Sequence, residues 1–232
     1  MNKNFYHGIM FHYFHGNKIH KKSQGSINQD QLDKIIKKIG RQNILDADEF
    51  FYRHTEKKLK PSNICLTFDD GLKSQFDIAL PVLEEHKIKS FFFINTINYT
   101  KNNNYIELFR FFRNNYFKNM NDYYNEFFSY IDKNLNILFK KEHSNLKSLK
   151  KKFPYYSLND LKFRFIRDNF LSKDEYNKIN FEMFDKKKFM YKNFINMMYL
   201  SKKELKKIDK LGHLIGLHSH SHHHKIETLK SE

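Results

Sequence analysis

Two distant stretches carry residues that could do chemistry together. The first is "LTFDDGLK", residues 66 to 73, where an apolar run empties into Asp69, Asp70 and Gly71. Neighbouring residues on a strand point to opposite sides, so adjacent carboxylates can take separate tasks. One can grip a cation while the other handles a proton. Two bare carboxylates would repel at low dielectric, and a cation beside them relieves that. Gly71 permits a sharp turn and a close approach of backbone to ligand. Alone, the Asp-Asp-Gly triplet also suits a plain turn after a strand. The second stretch is "GLHSHSHHHK", residues 216 to 225, with His218, His220, His222, His223 and His224. On a fully extended chain His218 and His222 would lie roughly 13 Å apart, at about 3.3 Å per residue. Two rings sharing one metal need bonds of about 2.0–2.1 Å. The chain must therefore leave its strand near Ser219 and curl, which puts both histidines on one side. Two imidazoles and a carboxylate form a ligand set used by hydrolytic metal sites that keep positions open for water. The histidine run is interrupted and continues an apolar strand, unlike a purification tag.

Taken together, "LTFDDG" and "GHLIGLHSHSHHH" resemble the polysaccharide deacetylases, the metal-dependent carbohydrate esterases of family four. That family's first motif is Thr-Phe-Asp-Asp-Gly and its second is His-Ser/Thr-x-x-His. Both stand here in that order, and the resemblance covers about residues 5 to 100 and 200 to 229. It implies an α/β fold, an incomplete distorted (β/α) barrel with its site at the strand C-termini, as barrels arrange it. It implies Asp69 as general base, and Asp70, His218 and His222 as ligands of a divalent metal, zinc first, with cobalt or another ion as alternatives. The implied reaction removes N-acetyl groups from an acetamido sugar, in a polysaccharide or in a nucleotide- or lipid-linked precursor, giving acetate and a free amine. Family members carry three further motifs after the second: an Arg-x-x-Pro-Tyr stretch that orients the base, a Trp-containing motif, and a Leu-x-His motif that supplies the general acid. None follows here. "KKFPYY", residues 151 to 156, contains Pro-Tyr but precedes the second motif. The alternative reading is accordingly an inactive fragment, or a non-catalytic metal-binding remnant. His12, His15 and His20, around the first strand, are candidate stand-ins for the acid.

The elements that must position these residues follow from patterning. "HGIMFHYF", "NICLTF", "IKSFFFIN" and "HLIGLHS" are β-branched and aromatic enough for strands. Helical patterns separate the first three. "SINQDQLDKIIKKIG" has Ser26 and Gln29 in capping-box spacing and Gly40 as its stop. "DADEFFYRHTEKKL" starts at Asp46, and "KSQFDIALPVLEEHK" contains Pro81 as a kink or helix start. Strands alternating with helices argue for βα units around parallel strands. From about residue 101 the texture becomes helical and rich in Phe and Tyr. Capping boxes are spaced at Ser157 with Asp160, Ser172 with Glu175, and Ser201 with Glu204. The expected organisation is a first barrel part over 1–100, a helical insertion over 101–200, and the returning strand with its histidines over 201–232. Aromatic stripes at helical spacing predict core in the insertion.

Composition bounds the remaining classes. The chain has 232 residues, 25 Phe, 14 Tyr, no Trp, and a formal net charge of +16. A basic balance of this size attracts polyanions such as anionic lipid, phosphorylated sugars or nucleic acid, but no nucleic-acid-binding motif is present. The lone cysteine, Cys65, excludes an intrachain disulfide and sits in an apolar run. No stretch approaches the roughly 20 apolar residues of a membrane span, and the start lacks a secretory pattern. The expected location is cytoplasmic or peripheral to a membrane.

Overall fold

The computed structural model describes residues 7–100, 104–131 and 134–220. The chain forms two compact units, Met1–Asn104 with Phe194–Glu232, and Tyr105–Asn193.

The first unit is α/β. Strands β1 (His7–Phe11), β2 (Ile64–Phe68), β3 (Phe91–Ile94) and β4 (Leu214–Leu217) form one parallel sheet in the order β1-β2-β3-β4. The registers Phe11↔Phe68 and Phe92↔Ile215 fix which residues share a face. Phe11, Leu66, Phe68 and Phe92 line the core face, and their rings stack, Phe11 on Phe68 at 5.5 Å and Phe68 on Phe92 at 4.9 Å. Cys65 is buried in β2. Sequential parallel order is the wall that an incomplete (β/α) barrel would have.

Helix α1 (Gln29–Ile39) buries Leu32 and Ile36, one turn apart, against this core. Its cap lies two residues later than the spacing predicted. Asn28 accepts from the Gln31 N–H and the Gln31 side chain accepts from the Asn28 N–H, each at 2.9 Å. Ser26 is unavailable because its hydroxyl donates to the Ser23 carbonyl and accepts from the Ser23 N–H. Helix α2 (Ala47–Thr55) begins after Asp46, but that side chain makes no capping bond. It accepts instead from the Lys89 N–H at 2.9 Å and from Arg41 at 3.2 Å, joining two loops. The expected helix around Pro81 is divided. A π-helical turn at Gln75–Ala79 leads into α3 (Leu80–Glu85). Pro81 has no N–H to offer the carbonyl four residues back, so the regular ladder is not continuous there.

The second unit holds α4 (Ile106–Asn115), α5 (Met120–Ser129), α6 (Leu135–Lys141), α7 (His143–Lys152), α8 (Leu158–Asn169) and α9 (Lys173–Lys186). Its aromatic stripes are core. Phe109, Phe112, Tyr123, Phe127, Phe163 and Phe184 are fully buried. They meet largely edge to face, Phe112 with Phe184 at 4.5 Å and Phe127 with Phe163 at 4.9 Å, the arrangement that ring quadrupoles favour. Ser157 caps α8, and Ser172 with Glu175 forms a full capping box on α9. The buried hydroxyls find partners: Tyr124 donates to Asp160 at 2.8 Å and Tyr123 to Asn180 at 3.2 Å.

Residues 194–200 belong to the first unit. They lead into α10 (Lys202–Lys210), opened by the Ser201–Glu204 capping box. Gly212, at φ 87°, turns the chain into β4. Before that strand His213 is buried. Its Nδ1 accepts from the Ser90 N–H at 3.0 Å and its Nε2 faces Glu84 at 3.2 Å. Among the described residues no helix is long and apolar enough to cross a membrane.

Candidate active site

The site gathers at the C-terminal ends of the four parallel strands. β2 ends at Phe68, and the Asp69 N–H still extends the ladder to the Phe11 carbonyl at 3.1 Å. Asp70 then takes φ 74° and Gly71 φ 62°. Two consecutive left-handed residues swing the chain sharply off the sheet. Glycine occupies such a position freely, whereas an aspartate does so at a cost. A side chain at Gly71 would also meet Ile94, with an added Cβ 3.0 Å from its Cγ2. The turn is tied down beyond the triplet. The Gly71 carbonyl accepts from the Leu200 N–H at 2.9 Å, and the Lys73 N–H donates to the Met198 carbonyl at 3.0 Å.

Both carboxylates are buried, each residue 6% exposed. His218 follows β4, and its N–H donates to the Ile94 carbonyl at 2.9 Å. Its Nε2 lies 3.5 Å from Asp70 Oδ1 and 3.9 Å from Asp69 Oδ2. On the other flank, His12 Nε2 lies 3.8 Å from Asp70 Oδ2. Residues 12, 69, 70 and 218 are thus brought together from three strand ends. Ser219, at φ 77°, takes the chain out of extended conformation just past β4. His222 lies outside the described residues, as do His223 and His224. His220 turns to the β3 end, with Nδ1 2.8 Å from the Thr96 hydroxyl. His15 and His20 are engaged elsewhere. His15 Nδ1 is 2.9 Å from the Ser26 hydroxyl, and His20 Nε2 is 2.8 Å from Asp77 Oδ2.

The donors present suit a cation. The 3.5 Å between His218 Nε2 and Asp70 Oδ1 exceeds a good charged hydrogen bond. It is near the edge of a tetrahedron, about 3.4 Å, built on bonds of about 2.0–2.1 Å. Two adjacent buried carboxylates also call for positive charge nearby. Among the described residues no group of three donors is already gathered in coordinating geometry.

Two positioning residues escaped the sequence reading. Gln75 is fully buried at the start of the π-helical turn. Its Nε2 donates to the His12 carbonyl at 3.0 Å and to the Asp69 carbonyl at 2.6 Å, while its Oε1 accepts from the Leu72 N–H at 3.2 Å. One amide therefore clamps the ends of β1 and β2 together. Asn95, just past β3 and 1% exposed, donates through Nδ2 to Asp70 Oδ1 at 3.1 Å. That bond sets the orientation of the carboxylate against His218. Its own Oδ1 is buried without a hydrogen-bond partner.

Paired aspartates and two histidines thus stand at the ends of parallel strands. Residues 56–127 match the family model described as polysaccharide deacetylase, the family that the two motifs resemble. The match takes in Asp69, Asp70, Gln75 and Asn95 and stops well before His218. Among solved structures, similarity is found to a de-N-acetylase from Aggregatibacter actinomycetemcomitans, at 17% identity and TM-score 0.33, covering 40% of this chain and 38% of that one. Similarity is also found to the Streptococcus pyogenes deacetylase PplD, solved with acetate, at 21% identity and TM-score 0.32, covering 38% of this chain and 41% of that one. The chain thus spans about two fifths of the length of each. No curated protein matches it.

Proposed function

We propose that this protein removes N-acetyl groups from an acetamido sugar, in a polysaccharide or in a nucleotide- or lipid-linked precursor. Asp70, His218 and His222 would hold a divalent metal, zinc first. The observation that carries the reading is the approach of His218 to both Asp69 and Asp70, three side chains drawn from opposite ends of the sequence. A metal bound there supplies polarisation of the acetamide carbonyl and acidification of a water.

The chain's own residues supply the rest. Asp69 accepts the proton of the attacking water as general base. His12, on the far flank of Asp70, is the candidate that gives a proton to the leaving nitrogen as the C–N bond breaks. Products are acetate and a free amine. Gln75 fixes the backbone of both proton-handling residues, and Asn95 aims Asp70.

The test is acetate release from acetamido-sugar oligomers, with bound metal measured on the same samples. Asp70→Ala and His222→Ala should lose metal. Asp69→Asn should keep metal and lose about 10²–10⁴-fold in rate, the usual contribution of an acid–base group. His12→Gln should also keep metal and slow the reaction. A metal-loaded protein that releases no acetate from any such substrate refutes the proposal and leaves the non-catalytic metal-binding reading.

A further inference from the structure

Within the helical unit, α7 is a helix with little to pack. Leu146 is its only buried residue. Lys147, Lys150, Lys151 and Lys152 are all exposed, as are Lys140 and Lys141 on α6. Between positions 134 and 159 these six lysines stand against a single acid, Glu142. None of the six forms a salt bridge among the described residues. Their charge is therefore not neutralised by a carboxylate among the described residues, although Lys152 lies over the Phe153 ring at 5.4 Å.

The loop that follows α7 adds a second kind of surface. Phe153, Tyr155 and Tyr156 pack on one another, Tyr155 against Tyr156 at 4.6 Å and Phe153 against Tyr156 at 5.8 Å. Lys150 shapes the loop from below by donating to the Pro154 carbonyl at 2.8 Å and to the Tyr156 carbonyl. Phe153 and Tyr156 are half-buried, and Arg164 lies over the Tyr156 ring at 4.2 Å, so the outermost ring is that of Tyr155. Tyr155 is 68% exposed, and Leu158, at the start of α8, is 51% exposed. On α6, Ile137 is 65% exposed and lies three and four residues before Lys140 and Lys141, on the same helix face.

We propose that this surface, α6, α7 and the aromatic loop, docks on an anionic lipid bilayer, with the lysines among the headgroups and Ile137, Tyr155 and Leu158 entering the interface. Charge selects an anionic partner, since clustered lysines are drawn to acidic headgroups. The exposed apolar side chains select lipid over other polyanions. A tyrosine ring could stack on a base or a sugar, but exposed isoleucine and leucine have no such use and are stabilised where acyl chains begin. The proposal is independent of the reaction assigned above.

The experiment is vesicle sedimentation of the full chain with phosphatidylcholine alone and with about 30% phosphatidylglycerol, at about 0.1 M salt. Binding should require the anionic lipid. The triple variant Lys147→Gln, Lys151→Gln, Lys152→Gln should lose about a hundredfold in partitioning, at about 1 kcal/mol per lysine. The double variant Ile137→Ser, Tyr155→Ser retains every charge and should lose about tenfold. Circular dichroism of both variants should be unchanged, because all five positions are exposed. Two results overturn the proposal. One is no binding to anionic vesicles. The other is full binding by the double variant together with equal affinity for a single-stranded oligonucleotide, which makes this a general polyanion surface.

Discussion

Gln75→Glu exchanges one NH2 for an oxygen at a place without solvent, and the contacts there set the size and the pH dependence of the effect. The wild-type amide donates to two main-chain carbonyls, of His12 and Asp69, and accepts one N–H, of Leu72. A carboxylate keeps only the last. Each buried carbonyl left without a donor costs about 1–3 kcal/mol, so the pair loses about 2–6 kcal/mol before any charge burial is counted. Glutamate can recover one of these bonds by holding a proton. Facing carbonyl oxygens and lacking water, its folded pKa must rise above the ordinary value of about 4.3. Below that pH both folded and unfolded forms are protonated, and the variant lacks one hydrogen bond. Above it the unfolded chain releases the proton while the folded protein retains it. Stability relative to wild type then falls by about 1.4 kcal/mol per pH unit until the folded pKa is passed.

The assay is the melting temperature of both proteins from pH 5 to 8. At roughly 2–4 °C per kcal/mol for a chain of this size, the gap should widen by several degrees per pH unit. Gln75→Leu provides the contrast, with a loss that does not vary with pH. Parallel curves for wild type and Gln75→Glu would show that the amide does not clamp these carbonyls, and the account of how β1 and β2 position the site would fall with it.

Further predictions concern the same framework. Asn95→Leu removes the donor that orients Asp70 and should weaken metal affinity by about 10–100-fold in a zinc titration, the usual effect of losing a ligand's supporting hydrogen bond; unchanged affinity would exclude that role. Burial lowers the His213 pKa, although Glu84 pulls the other way. The unfolded histidine binds a proton from about pH 6.5 downward, so this contribution to stability is whole above that pH and is lost as pH falls toward the folded value. His213→Gln should flatten the acid side of the stability curve, and a variant with the wild-type slope would contradict the assignment. Gly71→Ala meets both a φ of 62° and the Ile94 side chain. It should cost about 1–3 kcal/mol in denaturant unfolding, and Ile94→Val, which keeps the Cγ2 that the new methyl meets, should restore none of it.

The sequence revealed most where a residue type has one physical use. Short apolar runs such as "NICLTF" had to be strands, and the Phe and Tyr stripes of the second unit had to be core. Capping boxes at Ser172 and Ser201 read correctly because nothing competes for those hydroxyls. Ser26 carries the same spacing but is engaged by Ser23 and His15, so the cap moved to Asn28. Asp46 sits at a helix start yet bonds to Lys89 and Arg41. At the site, carboxylates and histidines announced themselves, whereas Gln75 and Asn95 did not. Gln75 works on main-chain carbonyls, which leave no trace in residue types, and it lies in a run that reads as an ordinary helix. His12, His15 and His20 were equivalent in the sequence. Only the end of β1 at Phe11 puts His12 beside Asp70, while neighbours in space claim the other two.

Why a strained residue stands at the centre of this arrangement follows from strand geometry. Had β2 continued, Asp69 and Asp70 would project to opposite faces of the sheet, as the alternation of a strand requires. His218 could then approach only one of them. The left-handed turn at Asp70 and Gly71 breaks the alternation, and both carboxylates come within 3.9 Å of one imidazole nitrogen. An aspartate in that region costs on the order of 1–2 kcal/mol. Main-chain bonds from several directions hold it: Phe11 to Asp69, Leu200 to Gly71, and Met198 to Lys73, with the Gln75 amide beneath. Asp69, Asp70 and His218 are thus kept together less by attraction for one another than by the backbone bonds around them. Such a framework is preorganised: the two carboxylates are held side by side by the fold, and a cation of the kind proposed would meet them without rearranging the chain.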